Sequence, residues 1–503
     1  MTRINTNVPS LIAQRVLGQN NASLNSSLER LSTGLQINRG KDNPAGLIAS
    51  QNLRAEKAAI GAAISNAERA DQVANIAEGG LNEVSGLLTE LQSLVTATAN
   101  TAGLSLEEKE ANQLQIDSIL QTIDRVASST SFQGQKLLNG SYDYSTENVA
   151  GTVNQFKVNA AKLEFNGTRD VDVVVTGSAQ VAGYFLSFGS ANINLGGAGA
   201  ADGADEQFVI EIAGELGSRE LSFASGTDVA DIVSTINSFT DVTGVEASVS
   251  GGTGVRLEST TQGSDKFVSV TVVDDGAIDG SDGIYNLSAN NVNALGSLAS
   301  TFAAATNKLT DEGQDVEATI NGIVATTRGT TARINTDFLD VEIDLDYDLG
   351  NASAATLGAI SAFTITGGGA DFQLAGRVDI GGKVGIGVGN VAVRELGRET
   401  LDVNDSSGSP VSGTYTLDDL RSGAGLNVVD GDLTAAQQIV DSAIGEVSSL
   451  RGRLGSFQQN TIGATIRSLG ISLENTTAAE FEAAWADALV SVPEPAVGGG
   501  LLL

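Results

Sequence analysis

Three stretches of this 503-residue chain carry residue types and spacings that could do chemistry. Gly385-Ile386-Gly387-Val388-Gly389 has the glycine density of a phosphate-cradling loop. Such a loop must open a helix, so that backbone N–H groups face the anion. The next run, Asn390-Val391-Ala392-Val393, reads as strand, and no Gly-Lys-Ser/Thr follows, so these glycines are expected to serve β-turns. Residues 274–282 offer Asp274, Asp275, Asp279 and Asp282 as oxygen ligands for Ca²⁺. The EF-hand register and its distal Glu are missing, and an acidic hairpin loop is expected instead. Along 341–349, Glu342, Asp344, Asp346 and Asp348 share one face at i, i+2 spacing. They could hold a cation, and so acidic a domain could elsewhere supply the carboxylate pair of a glycosidase. Nothing singles out two members, aromatic residues are 4% of the chain, and a solvated strand face is the expectation. The chain has no histidine and no cysteine. That removes imidazole bases and ligands, thiol nucleophiles, thiolate metal sites and disulfides together. No catalytic, cofactor-binding or metal-binding residue is assigned, no cofactor is expected, and the protein is read as not an enzyme.

The elements around these stretches are of two kinds. In the first 140 residues the period is helical. Ile4, Val8 and Leu11 recur at steps of 4 and 3, and Leu24, Leu28, Leu31 and Leu35 at 4, 3 and 4. The run from Asn38 to Gly46 breaks the pattern at Pro44. It resumes with Ile60, Ile64, Ala67, Val73, Ile76, Leu81, Val84, Leu88, Leu91 and Val95. Gly79-Gly80 should weaken that helix by roughly 1 kcal/mol per glycine relative to alanine. A third helix starts at the capping box Ser105-x-x-Glu108 and presents Ile116, Leu120, Ile123 and Ala127. Between 433 and 473 the steps of 3 and 4 return through Val440, Ile444, Val447, Leu450, Leu454, Phe457, Thr461, Thr465 and Leu469. Stripes this narrow need partners. The simplest architecture pairs the two ends of the chain.

The middle is β by period, with 341–349 alternating throughout. Further strands are expected at 171–175, 208–212, 245–249, 255–258 and 267–273, separated by glycine. A short helix is expected at 227–237, capped by Thr227 or Asp228, burying Val229, Ile232, Val233 and Ile236. The charge divides the same way. Residues 1–140 hold 11 basic and 13 acidic side chains, 426–503 hold 3 and 9, and 141–425 hold 14 and 39. A net charge of −33, with −25 of it in the middle, argues against nucleic acid and anionic lipid as partners. The N-terminus has no apolar core of a cleavable signal, and no stretch approaches the ~18 apolar residues of a membrane span. Val492-Pro493-Glu494-Pro495 resembles the opening of a PEP-type sorting tail without its apolar span.

Leu31-Ser32-Thr33-Gly34-Leu35-Gln36-Ile37-Asn38, followed by Lys41-Asp42-Asn43-Pro44-Ala45-Gly46-Leu47, closely resembles bacterial flagellin. The likeness continues through Ala77-Glu78-Gly79-Gly80-Leu81-Asn82-Glu83 and Phe132-Gln133-Gly134-Gln135-Lys136-Leu137-Leu138-Asn139-Gly140, and returns in Leu450-Arg451-Gly452-Arg453-Leu454-Gly455-Ser456-Phe457-Gln458-Gln459-Asn460. Ala318-Thr319-Ile320-Asn321-Gly322 and residues 226–237 are similar to flagellin insertion repeats.

The resemblance implies an α+β multidomain protein: a long coiled-coil-like helical bundle formed by N- and C-terminal segments, with a β-rich variable insertion projecting from it. The expected division is 1–44 N-terminal inner-tube helix, 45–140 helical bundle, 141–425 acidic variable outer domains, 426–475 the C-terminal part of the bundle, and 476–503 an atypical tail. It implies a structural subunit that polymerises into the flagellar filament used for swimming, with a hook–filament junction protein or a minor flagellin as the alternative. Subunit packing is assigned to Leu24, Leu28, Leu31, Leu35, Val84, Leu88, Leu91, Val440, Val447, Leu450, Leu454 and Phe457. Implied partners are other copies or other flagellins, the flagellar export apparatus and its chaperone, and the filament cap and junction proteins, with no nucleic acid and no membrane insertion. The implied location is extracellular, in the flagellum, reached without a cleavable signal peptide. Two departures stand out. Residues 476–489 do not match the family's last helix, and Pro493 and Pro495 break any continuation, so residues 1–40 are expected to lack a partner in the monomer. Thr89-Glu90-Leu91-Gln92-Ser93-Leu94 replaces a cationic stretch that an innate receptor reads in some flagellins, which implies weak receptor activation.

Overall fold

The computed structural model describes residues 7–100, 103–164, 167–195, 206–278, 283–288, 291–345, 358–404 and 410–485. The chain divides into two units, one made of its two ends with residues 371–384, the other of residues 142–370 and 385–388. The fold is α+β.

In the first unit, α1 (Val8–Thr33) is capped by Asn7, whose side chain accepts from Ser10 N, and ends at Gly34 in the left-handed region at φ +66°. Glycine fits there because an added Cβ would strain that backbone. Pro44 opens α2 (Pro44–Thr98), with Asn43 Oδ1 accepting from Gly46 N at 2.9 Å. The buried edge of α2 runs Ile60, Ala63, Ala67, Ala70, Ala74, Ala77, Leu81, Val84, Leu88, Leu91, Val95 and Thr98, alternating steps of 3 and 4 without a break. This corrects the sequence reading. Ile64 and Val73 are only half-buried and Ile76 is exposed, because a run of alanines lets the neighbouring helix approach closely along that side. The capping box at Ser105 is made in full and opens α3 (Leu106–Ser129).

The second unit holds two β-modules, each with its own core. The first is built from Tyr144–Glu147, Val153–Ala161, Arg169–Gly177, Glu317–Ile320, Ile323–Val324, Thr326–Arg328, Thr331–Asn335, Leu339–Leu345 and Gly358–Gly368, in antiparallel sheets of five and four strands. Val171, Val173, Ile343 and Phe363 lie in its core. The second module is nested in the sequence of the first, between Gly183 and Glu312, again as sheets of five and four strands. It carries α4 (Val229–Asn237), capped by Asp228, which packs Val229, Ile232 and Ile236 against Phe208, Val255 and Val270. A single turn, α5 (Thr240–Thr243), follows. The other expected strands fall within Gln207–Ala213, Val245–Ser250, Gly254–Ser259 and Phe267–Asp274. The strand read at 341–349 spans Leu339–Leu345, and 346–349 lie outside the described residues.

The chain then returns to the first unit. Residues 389–404 and 410–425, assigned from sequence to the acidic middle, fold with the helices instead. The cause is polar as well as apolar. Asp124 of α3 accepts from Val393 N at 3.0 Å and from Arg421 at 2.7 Å. Asp117 accepts from Ser422 N, and Gln113 bridges Leu420 O and Val428 N. Leu396, Leu417, Leu420 and Leu426 are buried beside them. Two helices complete the unit, α6 (Leu433–Ser456) and α7 (Gly463–Trp485), joined by a π-helical segment at Phe457–Ile462. The boundary expected after residue 475 falls inside α7, which continues unbroken to Trp485. Of the rest of the atypical tail, 486–503 lie outside the described residues.

Candidate assembly surfaces on the helices

The side chains that hold this unit together sit on α2, α3, α6 and α7, with α2 packed against each of the other three. On α6 the buried positions Ala436, Val440, Ala443, Val447, Leu450 and Leu454 step by 4 and 3, and Phe457 adds one more step of 3. The next buried position is Ile462, five residues on, and the π-segment absorbs the extra residue. Sequence periodicity placed Thr461 on this edge; Ile462 is there because it has more apolar surface to remove from water. Phe457 meets Phe372 with ring centroids 6.1 Å apart.

An ion pair and charged hydrogen bonds flank the apolar edge. Arg451 reaches Glu78 at 2.9 Å, Gln92 donates to Asp441 at 2.5 Å and Gln458 to Asp71 at 3.4 Å. Near the far end of α7, Glu480 accepts from Arg54 at 2.7 Å and Lys57 at 3.4 Å. Those bonds, chiefly Arg54's, hold the Glu480 carboxyl below the usual carboxylate range. No periodicity argument could have found Gln113, Asp117, Asp124 or Glu480, because each is a polar residue on a helix face whose partner lies hundreds of residues away.

The twelve expected packing residues separate into two groups. Val84, Leu88, Leu91, Val440, Val447, Leu450, Leu454 and Phe457 are buried within the unit. Leu24, Leu28 and Leu31 are exposed, Leu31 by 82%, and Leu35 is half-buried. No residue of α1 is buried. Its row of Val8, Leu11, Ile12, Val16 and Leu17 faces water, as do Ile471 and Phe481 on α7. Contiguous apolar surface of this kind is uncommon on a monomeric protein.

The stretches with chemical potential have other occupations. An added Cβ on Gly387 would come within 2.8 Å of Val158 O and 3.1 Å of the Tyr144 ring, so that glycine serves close packing. Asp344 accepts from Thr330 Oγ1 and Asn154 Nδ2, and Asp340 and Glu342 face Arg333. Asp274 accepts from Gly276 N, while Asp279, Asp282, Asp346 and Asp348 lie outside the described residues. Burial pushes the Tyr184 hydroxyl up to about 12, aided by the charge of Asp311, and also raises Asp311, whose carboxylate accepts from Gly183 N. Among the described residues, no group of three or more acidic side chains is placed to hold a metal, and no helix is long and apolar enough to cross a membrane.

Residues 4–143 match the model of the bacterial flagellin N-terminal helical region, and residues 207–261 match the flagellin hook IN motif. The chain is thus similar to bacterial flagellins in its N-terminal helices and in its middle. Flagellin B of Helicobacter pylori is 25% identical over 504 residues, covering 95% of this chain and 91% of that one. Polar flagellin F of Vibrio parahaemolyticus is 30% identical over 239 residues, covering 47% of this chain and 60% of that one. Among solved structures, FliC from Burkholderia pseudomallei is 15% identical with a TM-score of 0.23, covering 78% of this chain and 99% of that chain. The flagellin hook IN match spans two strands, α4 and two further strands of the nested β-module, which places that motif in the acidic middle.

Proposed function

We propose that this chain is a bacterial flagellin, a structural subunit that polymerises into the helical bacterial flagellar filament used for swimming. The observation that carries the reading is the exposed apolar row of α1, on a chain whose N-terminal region matches the flagellin model. Heterologous contacts that do not close on themselves build open helices, and such contacts need apolar surface left uncovered in the monomer. The helices of the two chain ends act as a coiled-coil-like bundle. The unbroken 3-and-4 spacing on α2 and its packing with α6 and α7 support this.

The β-rich middle is the variable part that faces the medium. Its share of a −33 net charge keeps filaments apart and soluble. Association is mechanical, so the subunit needs no cofactor and acts without catalysis. Its partners are further copies or other flagellins, the cap and junction proteins at the filament ends, and the export apparatus and chaperone. Export through that apparatus delivers it outside the cell. Electron microscopy of purified protein under polymerising conditions, with and without short filament seeds, tests the reading. Long helical filaments are the expected result; failure to extend even seeds would overturn it.

A further inference from the structure

The two β-modules of the middle unit are joined covalently at two places, near Gln180 and near Gln314. The two crossings lie side by side: Gln180 N donates to Gln314 O at 2.8 Å and Gln314 N to Gln180 O at 2.9 Å. A paired two-strand connection is a hinge, because small backbone changes there swing whole modules. Beside that axis, where Gly263 N also donates to Gln180 O at 3.3 Å, a loop of the nested module, 262–266, meets the turn at 328–330 of the first module. Asp315 holds both. Its Oδ1 accepts from Ser264 N at 2.9 Å and from Gly329 N at 2.7 Å, and its Oδ2 accepts from Ser264 Oγ at 2.6 Å. Beside it the Arg328 guanidinium donates twice to Asp265 Oδ2, at 2.8 and 3.2 Å. An added Cβ on Gly329, at φ +56°, would lie 3.0 Å from Gln262 O, and one on Gly313 2.4 Å from Gly263 O. The backbones meet this closely because glycine stands at each contact.

We propose that Asp315, assisted by the Asp265–Arg328 pair, is a clasp on this hinge. Closed, it makes the two modules one rigid body; open, it lets the nested module swing about the Gln180–Gln314 pairing. Arg328 is largely exposed, and such an ion pair is weak by itself. Asp315 is the principal fastening, because losing it leaves Ser264 N and Gly329 N of two different modules without their acceptor. The inference concerns the internal stiffness of the middle unit and stands apart from assembly.

The chain has no cysteine, so two can be introduced for nitroxide labels without background. With labels at Asp241→Cys in the nested module and Val324→Cys in the first, pulsed electron spin resonance should give one narrow distance. Adding Asp315→Ala is expected to broaden that distribution about twofold, and Arg328→Ala by a smaller factor. Each module keeps its own core, so near-ultraviolet dichroism of the variants should remain native. An unchanged width in folded Asp315→Ala overturns the proposal. Should that variant not fold, the Asp265→Ala, Arg328→Ala double variant decides in the same way, with an unchanged width again overturning it.

Discussion

Gly79 and Gly80 are neighbours of one type on one helix, yet they have opposite roles. An alanine Cβ at 79 would meet nothing within 4 Å, whereas at 80 it would lie 2.7 Å from Leu138 Cδ1 and 2.8 Å from Thr130 Oγ1. Leu138 is fully buried, and Thr130 Oγ1 is committed to Val126 O. Gly79→Ala should therefore stabilise the monomer by up to about 1 kcal/mol through helix propensity. Gly80→Ala should destabilise it by about 1 kcal/mol, because overpacking costs roughly 1–3 kcal/mol and outweighs the same gain. Denaturant midpoints of the two variants check the pair of signs. Periodicity alone assigned both glycines the same weakening effect. Leu31 and Leu88 make the corresponding contrast among apolar residues. Leu88→Ala should cost about 2–5 kcal/mol of monomer stability by opening a cavity. Leu31→Ala should change it by less than ~0.5 kcal/mol and slow filament growth, read by light scattering.

At the scale of the element, the π-segment between α6 and α7 is the place where the chain has one residue more than an α-helix wants. Removing Gln459, which is exposed, puts Ile462 four positions after Phe457 and restores the alternation of 3 and 4. That deletion should leave the midpoint of unfolding within about 1 kcal/mol of the parent. Deleting exposed Ser449 from regular α6 instead rotates Leu450 and Leu454 out of the buried edge and should cost several-fold more. Equal losses from the two deletions would show that the π-segment is not a register joint. The clasp between the β-modules has a pH dependence of known sign. Asp315, facing Ser264, Gly329 and Arg328, and Asp265, facing Arg328 and Lys266, both have carboxyl groups held below the usual range; Glu215 pairs with Lys266 alongside. A carboxyl lowered on folding stabilises fully above its unfolded value, near pH ~4, and loses that contribution as pH falls through the folded value. Stability of the middle unit should drop below about pH 4, and by less in Asp315→Asn, as followed by thermal unfolding across an acid series.

For the whole molecule the deciding fact is how unevenly burial is distributed along it. A 26-residue helix with no buried residue has only its own backbone and local contacts to hold it, and it lacks the tertiary packing from which most helical stability in proteins comes. Amide exchange in residues 8–33 of the monomer should be fast, and protection should rise by orders of magnitude on polymerisation. Strong protection in the monomer would mean that the exposed row already has a partner. The buried edges of α2, α3 and α6 should remain protected in both states.

Element types, the capping box, the turn at Pro44, the acidic middle and the two-ended helical organisation were legible in the order of residues, because each rests on local period, on φ or on net charge. The family likeness was legible in the same way, as ordered blocks at the two ends. Tertiary structure decided matters that depend on partners distant in sequence. It placed the alanines of α2 rather than Ile64, Val73 and Ile76 on the buried edge, and Ile462 rather than Thr461. It gathered residues 389–404 and 410–425 onto α3 through Asp117 and Asp124. It set Asp315 between two modules. In each case a short-range pattern is compatible with more than one face or neighbour, and the choice falls to whichever packing removes more apolar surface and leaves fewer polar groups unpaired.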